Sequence, residues 1–193
     1  MNESVKTVLK SGGVGVLPTD TLYGLVGQAL SRRTVSRIYR LRKRNPKKPM
    51  IVLISSRADL KKLGVMVNGQ MSKVFKKLWP GKVSIVLPCN TKRFSYLHRG
   101  RKTLAFRLPA ERSLRKLLKL VGPLVAPSAN VEGKPPARTI SEAKKYFGDN
   151  VDFYVTAGRL ASKPSTLVAL TDKGLAVIRR GSTSIAPKRF RRP

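Results

Sequence analysis

The side chains best suited to bind a polyanion lie between residues 42 and 49, where the sequence reads Arg-Lys-Arg-Asn-Pro-Lys-Lys-Pro. We expect a helix to end here and to give way to a loop stiffened by proline. Because arginine presents a planar fork to phosphate oxygens and lysine a compact charge, Arg42, Arg44 and Lys48 together suit a triphosphate. The alternative is a solvated helix end whose cations only stabilise the helix dipole.

A second polar group follows a short predicted strand at residues 124–126. Ser128 and Asn130 are separated by one residue, so in an extended backbone the hydroxyl and the amide face the same pocket. An ordinary turn is the alternative, because both side chains readily bond to their own backbone. The sequence has neither the glycine-lysine loop of P-loop proteins nor the three-glycine fingerprint of dinucleotide-binding folds. A nucleotide would therefore be held by other groups.

Three further side chains of chemical interest are predicted to be structural. Cys89 and His98 are the only cysteine and histidine, which excludes a disulfide or a Cys/His zinc cluster within the chain. Any metal ligands would be carboxylates or substrate phosphates. We expect Cys89 to be a small packed residue, His98 to be exposed, and Trp79 to be a core aromatic rather than the wall of a ligand site.

The charge balance of the chain is strongly basic. It has 41 Lys and Arg residues against 9 Asp and Glu, a formal net charge of +32. This excess attracts polyanions through counterion release and favours nucleotides or nucleic acids as partners. A basic proteome or a salt-rich cytosol that shifts every surface in this direction is the alternative. The chain has no apolar run of signal-peptide or membrane-span length, so we expect a cytoplasmic protein without membrane contact.

The elements that must position these groups alternate between short apolar runs and helical patterns. With 193 residues and 41% hydrophobic side chains, the chain is long enough for one well-buried domain. The pattern predicts an α/β fold with a mixed twisted open sheet and flanking helices. Predicted strands cover residues 14–17, 50–54, 83–87, 103–109, 124–126, 151–156, 166–170 and 175–179. One predicted helix ends near residue 10, and a second begins after its cap Ser31 and is ended by Pro46 and Pro49. Further predicted helices cover 58–63, 71–78, 113–120 and 141–147 (with Ser141 as cap), and loops cover 19–25 and 92–102.

Several motifs, taken in order along the chain, resemble one known family. The motifs are LPTDTLYGL at 17–25, RNPKKPM at 44–50, WPG at 79–81, RLP at 107–109, SAN at 128–130, GKPP at 133–136, PSTLV at 164–168 and IRRG at 178–181. Together they resemble the YrdC/TsaC (Sua5-like) family of threonylcarbamoyl-AMP synthases, in its single-domain form. The resemblance implies an open α/β sheet around a large electropositive concave pocket. It implies a catalytic domain over residues 1–181. The basic composition of residues 182–193 separately predicts a C-terminal tail that is a candidate for disorder.

The activity implied by the resemblance is that of a nucleotidyltransferase. L-threonine, bicarbonate and ATP would give threonylcarbamoyl-AMP and diphosphate, for the t6A modification of tRNA at adenosine 37. Mg²⁺ would accompany ATP, and the partners would include the t6A transferase machinery and tRNA or other RNA. Two alternatives remain at this point: a non-catalytic protein of the same fold that binds tRNA, rRNA or double-stranded RNA, and a carbamoyl-transfer relative of the hydrogenase-maturation type.

The resemblance also implies roles for individual side chains. The family signature pairs Lys-x-Arg with a later Ser-x-Asn, and here Arg42 takes the lysine position, with the adjacent Lys43 as the alternative. Glu132 replaces a serine often found in the family. The implied catalytic residues are Arg42, Arg44, Ser128 and Asn130. The implied threonine-binding residues are Thr21, Arg107 and Ser128, with Arg107 facing the carboxylate. The implied ATP-binding residues are Arg44, Lys48, Asn130 and Arg179.

Overall fold

A computed structural model of the chain describes residues 3–171, 174–186 and 188–189. Over these residues the helices are α1 (Glu3–Lys10), α2 (Arg32–Leu41), α3 (Ala58–Lys62), α4 (Gly69–Leu78), α5 (Ser95–His98), α6 (Arg112–Val121) and α7 (Ile140–Phe147). The strands are β1 (Gly15–Pro18), β2 (Tyr23–Gln28), β3 (Val52–Leu53), β4 (Val83–Pro88), β5 (Thr103–Arg107), β6 (Leu124–Val125), β7 (Phe153–Tyr154), β8 (Thr166–Thr171), β9 (Gly174–Arg179) and β10 (Lys188–Arg189). Short 3₁₀ turns cover Lys92–Phe94 and Gly148–Asn150. Among the described helices, none is long and apolar enough to cross a membrane.

The strands form one mixed sheet in the order β10-β9-β8-β4-β5-β3-β6-β2-β1-β7. Three neighbouring pairs, β1/β7, β3/β5 and β4/β8, are parallel, and the others are antiparallel. The predicted mixed α/β sheet is confirmed. Because β5, β6 and β2 come together near the middle of this order, the segments that follow β1, β5 and β6 lie close in space.

Helices cover both faces of the sheet. On one face α1 and α6 pack Leu9 and Leu117 against Leu53 and Leu124 of the sheet. The apolar residues of α6 recur at helical spacing, which places them on one buried stripe. The other face carries the larger cluster, in which α2 contributes Val35 and Ile38 and α7 contributes Ala143 and Phe147. The sheet is therefore fixed from both sides around the strand ends that form the site.

Most predicted elements form within a few residues of their expected bounds. Two helix caps were predicted, and one of them is correct. Ser31 caps α2 as predicted, with its hydroxyl accepting the Thr34 N–H at 3.2 Å. The prediction of Ser141 as the cap of α7 is wrong: the helix begins earlier, and the hydroxyl of Thr139 accepts the Glu142 N–H. Threonine and serine satisfy the same orphan amides, so residue type alone does not choose between them.

The predicted loop at residues 19–25 is wrong in its second half. Residues 23–28 form β2, which pairs antiparallel with β1 in the register Pro18↔Tyr23. The turn is closed by Thr19, whose hydroxyl accepts the N–H groups of Thr21 and Leu22, each at 3.2 Å. The polar segment is therefore a tight hairpin turn, which holds Thr21 rigidly at the end of the two strands.

The predicted basic loop at residues 92–102 is also wrong in part. It contains a 3₁₀ turn and the short helix α5, which turn Phe94, Tyr96 and Leu97 inward. His98 is only 6% exposed, contrary to the prediction, because it ends this helix on its buried side. Cys89 is fully buried as predicted, and burial raises the pKa of its thiol to about 11.

Trp79 is a core aromatic, as predicted. Its ring stacks on Phe75 with centroids 4.7 Å apart, and its Nε1 donates to the Val83 carbonyl at 2.8 Å.

Within the predicted tail, the backbone of β10 pairs antiparallel with β9 in the register Lys188↔Leu175. Residues 182–186 of the tail are also described, and the backbone N–H groups of Ser182 and Thr183 donate to the Pro164 carbonyl and the Thr166 hydroxyl. The prediction for residues 187 and 190–193 lies outside the described residues.

Candidate active site

A cavity of about 350 Å³ opens where β1, β5, β6 and β9 end. Its basic lining consists of Arg42, Arg44, Arg107 and Arg179. The hydroxyls of Thr19, Thr21, Ser128 and Ser165 line it as well. Among the described residues that line it, none is acidic. The cavity is therefore a concave anion site with room for a small substrate.

Arg107, at the end of β5, is a buried part of this lining. Its side chain is 5% exposed, its Nη1 donates to the Thr21 hydroxyl at 2.9 Å, and its Nη2 lies 3.4 Å from Asp20 Oδ1. Burial lowers the pKa of Arg107, whereas the nearby Asp20 opposes this shift and Arg179 adds to it. The carboxylate of Asp20 thus keeps a guanidinium charged in a place where water cannot solvate it.

Asp20 was not identified from the sequence as part of the site. Its Oδ2 accepts the Ala110 N–H at 3.1 Å, so it also ties the segment after β5 to the β1–β2 turn. A signal was present in the sequence. The chain has only 9 acidic residues, and a buried arginine at a strand end requires an anionic partner.

Arg42, the C-cap of α2, joins the helix end to the Ser128–Asn130 segment. Its Nε donates to the Asn130 carbonyl at 3.0 Å, and its Nη2 lies 3.2 Å from Asn130 Oδ1 and 3.4 Å from the Ser128 hydroxyl. Burial, and secondarily the nearby Arg44, lowers the pKa of Arg42 to about 10, so it remains charged at neutral pH. Lys43 is exposed and has φ +48°. Of the two candidates for the family lysine position, Arg42 is the one that lines the cavity.

Asn130 lies beneath the cavity surface and is absent from the described lining. Its amide nitrogen donates to the carbonyls of Val131 and Lys134, and its Oδ1 accepts from the Ser128 hydroxyl at 2.6 Å. Every polar atom of this side chain is therefore used within the protein. In this geometry Asn130 orients Arg42 and Ser128.

The loop after α2 holds Arg44 over the cavity. Arg44 Nε donates to the Lys48 carbonyl at 3.1 Å and its Nη2 to the Pro49 carbonyl at 2.8 Å. Lys48 is absent from the described lining and pairs with Glu132, with Nζ 2.9 Å from Oε1. The loop is thus folded around Arg44, while Lys48 lies at its exposed rim.

Arg179, at the end of β9, completes the basic lining. Its Nη2 donates to the Ser165 carbonyl at 2.8 Å. Ser165 in turn shares a 2.8 Å hydrogen bond with the buried Ser84 hydroxyl, so β4 and β8 position Arg179 indirectly. Six of the predicted site residues share the cavity: Thr21, Arg42, Arg44, Arg107, Ser128 and Arg179.

The fold and the cavity define an α/β protein with an arginine-lined pocket for an anionic ligand. A profile of the Sua5/YciO/YrdC family, described as telomere recombination, matches residues 7–181. The chain belongs to this family. The resemblance inferred from its motifs is confirmed.

Three similar proteins illustrate this membership. The chain is 36% identical over 163 residues to the threonylcarbamoyl-AMP synthase of Methylobacillus flagellatus, covering 82% of this chain and 89% of the relative. The crystal structure of Pyrococcus abyssi Sua5 complexed with L-threonine has a TM-score of 0.85 and 29% identity, covering 92% of this chain and 53% of that chain. The crystal structure of Escherichia coli YciO has a TM-score of 0.82 and 26% identity, covering 94% of this chain and 89% of that chain. This chain therefore spans about half the length of the P. abyssi protein.

Proposed function

We propose that this chain is a threonylcarbamoyl-AMP synthase, which condenses L-threonine, bicarbonate and ATP and releases diphosphate. The observation that carries the proposal is the shared cavity, in which four arginines and several hydroxyls meet in a member of a family whose relatives bear this name. ATP and bicarbonate are anions, and threonine brings a carboxylate. The main obstacle is to gather them in one place, and positioned guanidinium groups lower that barrier without a nucleophilic side chain.

The threonine end of the cavity would be formed by Arg107, Thr21 and Ser128. The fork of Arg107 suits a carboxylate, and its Nε–H has no acceptor among the described residues. The Thr21 hydroxyl is already bonded to this fork, which places a second polar group beside the bound amino acid. The structure of P. abyssi Sua5 with L-threonine supports threonine as a substrate of this fold.

The nucleotide end would be formed by Arg44 and Arg179, with Arg42 between the two ends. The threonine ammonium would lose a proton, and its amine would condense with bicarbonate to a carbamate with loss of water. A carbamate oxygen would then attack the α-phosphorus of ATP and expel diphosphate. Arg42 and Arg44 would stabilise the charge that develops on the phosphoryl oxygens and the leaving group. This assigns the chain to the nucleotidyltransferases and gives Asn130 a positioning role.

Mg²⁺ is proposed to enter as Mg-ATP. Within the described residues there is no group of three or more His, Cys, Asp or Glu side chains able to hold a metal ion. The triphosphate itself supplies the oxygen ligands that Mg²⁺ prefers. Because the product serves tRNA modification, we place the reaction in the cytoplasm, upstream of the t6A transferase machinery.

Diphosphate release tests the proposal directly. Purified protein with Mg-ATP should release diphosphate only when L-threonine and bicarbonate are both present, measured with a coupled pyrophosphatase assay. Omitting either substrate is the matched control. If release with all three substrates stays at the background level, the catalytic proposal fails.

Binding of RNA without catalysis is the second candidate, and the net charge of +32 favours it. In that case the affinity for tRNA would fall steeply with salt, and diphosphate release would be absent. Filter binding of tRNA at two salt concentrations, run beside the diphosphate assay, separates the two candidates. An enzyme that also binds tRNA gives both signals.

A further inference from the structure

The cationic loop at residues 43–49 is closed by an acidic side chain from a distant part of the sequence. Glu132 Oε2 accepts the backbone N–H of Asn45 at 2.6 Å, and Oε1 lies 2.9 Å from Lys48 Nζ. A backbone amide and an ammonium are both groups that bind phosphate oxygens well. The carboxylate thus occupies, with both of its oxygens, a ready-made anion site.

The backbone around Glu132 fixes this arrangement. The Glu132 N–H donates to the Arg42 carbonyl at 2.8 Å, so the residue is anchored to the end of α2. Gly133 follows with φ +85°, a left-handed conformation in which other residues are strained. The Asn130 amide holds both ends of the same turn, at the carbonyls of Val131 and Lys134. The carboxylate is therefore presented to the loop by a rigid turn.

The ionised form of Glu132 is the one that these contacts favour. The hydrogen bond from Lys48, followed by that from the Asn45 N–H, holds the pKa of Glu132 below its usual range. At neutral pH the carboxylate is charged and compensates the Lys48 ammonium. Lys48 is therefore already paired in the free protein.

This pairing conflicts with the proposed role of the loop in nucleotide binding. A triphosphate that approaches Lys48 meets a carboxylate of like charge, which repels it at contact distance. The Lys48 and Glu132 side chains are 58% and 25% exposed, and ion pairs this accessible to water are weak. An anion of higher charge can therefore displace the carboxylate.

We propose that Glu132 is an internal competitor of the triphosphate: it fills the anion site formed by the Asn45 amide and Lys48, and it must leave before phosphate oxygens bind there. The identity of the natural anion rests on the proposed function. The competition itself is measurable without turnover, because it requires only a polyphosphate and the folded chain.

Calorimetric titration with inorganic tripolyphosphate, in the presence of EDTA and without threonine, tests the competition. Glu132→Gln removes the negative charge but keeps the length and shape of the side chain. Glu132→Ser removes the charge and also shortens the side chain, so that it no longer reaches the Asn45 amide and Lys48. Both variants should bind tripolyphosphate about three- to tenfold more tightly than the wild type, as expected for removal of one like charge at a surface site. The control is Asp149→Asn, which removes the same charge from an exposed position outside the described cavity lining and should change the affinity less than twofold.

Amide exchange of Asn45, followed by NMR, gives a second readout that does not depend on the ligand. In Glu132→Ser the Asn45 amide loses its acceptor and should exchange about tenfold faster, whereas the Lys47 amide, bonded to the Asn45 side chain, should not change. Unchanged or weaker tripolyphosphate binding in both variants, or unchanged Asn45 exchange, overturns the inference. If the variants bind tripolyphosphate more tightly but the wild-type protein releases no diphosphate, the competition by Glu132 is supported and the proposed enzymatic function is rejected.

Discussion

Arg42 contacts Asn130 at two points, with Nε 3.0 Å from the backbone oxygen and Nη2 3.2 Å from the side-chain Oδ1. Arginine makes these contacts from two nitrogens in a fixed planar fork, whereas a lysine would have to make them from a single ammonium at the end of a flexible stem. The guanidinium of Arg42 is therefore held in a fixed orientation. This relationship makes Arg42 the structural link between the end of α2 and the Ser128–Asn130 segment.

Arg42→Ala should lower the rate of diphosphate release by about 100-fold or more, because it removes a preorganised cation from the reacting groups. The matched control is Lys43→Ala, since Lys43 is the adjacent cation and is exposed. We expect this control to retain activity within twofold. Equal losses in the two variants would contradict the choice of Arg42 over Lys43.

Asp20→Asn should destabilise the protein by about 3 kcal/mol, because it leaves the guanidinium of Arg107 buried without a counter-charge. Urea denaturation followed by circular dichroism measures the change. Asp149→Asn, which removes an exposed charge, should alter stability by less than about 0.5 kcal/mol. A value for Asp20→Asn as small as that of the control would show that the Asp20–Arg107 pair contributes no stability.

Arg44→Ala should raise the KM for ATP at least tenfold, since it removes a charged fork from the phosphate side of the cavity. Part of the effect will come from the loop, because Arg44 bonds to the carbonyls of Lys48 and Pro49. The KM for threonine should change much less. Arg40→Ala, at an exposed position on α2, serves as the charge control, and a similar rise in its KM would indicate only a long-range effect of charge.

Asp152 should make stability depend on acid pH. Its carboxylate bonds to the Arg37 guanidinium at 2.6 and 2.9 Å and accepts the Val14 N–H at 2.7 Å; these contacts, the Arg37 hydrogen bond first, lower its pKa. A depressed folded-state pKa contributes stability above the unfolded-state pKa, and this contribution is lost as pH falls through the folded value. Asp152→Asn should therefore show a smaller fall in Tm between pH 7 and pH 3, measured by calorimetry. An unchanged pH profile would reject this role.

The sequence predicts the elements that depend on local patterns. The apolar spacing of α2 and its Ser31 cap, and the buried strand around Val52, follow from periodicity and hydrogen-bonding chemistry within a few residues. The burial of His98 cannot be predicted from such local patterns, because it depends on the packing of α5 against the core. A basic segment with three apolar residues can be a loop or a short helix with equal local preference.

The cavity shows the same division between local and long-range information. Arg107 is identifiable from its place at a strand end, and the family motifs draw attention to Arg42 and Ser128. The pairing of Arg107 with Asp20 and the contacts of Arg42 with Asn130 join segments that are far apart in sequence. Residue types suggest which groups are present, but only the three-dimensional arrangement shows which of them remain available to a ligand.

The lining of the cavity runs from Thr19, near the start of the chain, to Arg179 on β9. On the ribosome the first three arginines of the cavity emerge long before the fourth. Until β9 docks beside β8, the pocket has an open wall and lacks its fourth arginine. The cavity is therefore complete only after nearly all of the described chain has been synthesised, and no ligand can contact all four arginines before then.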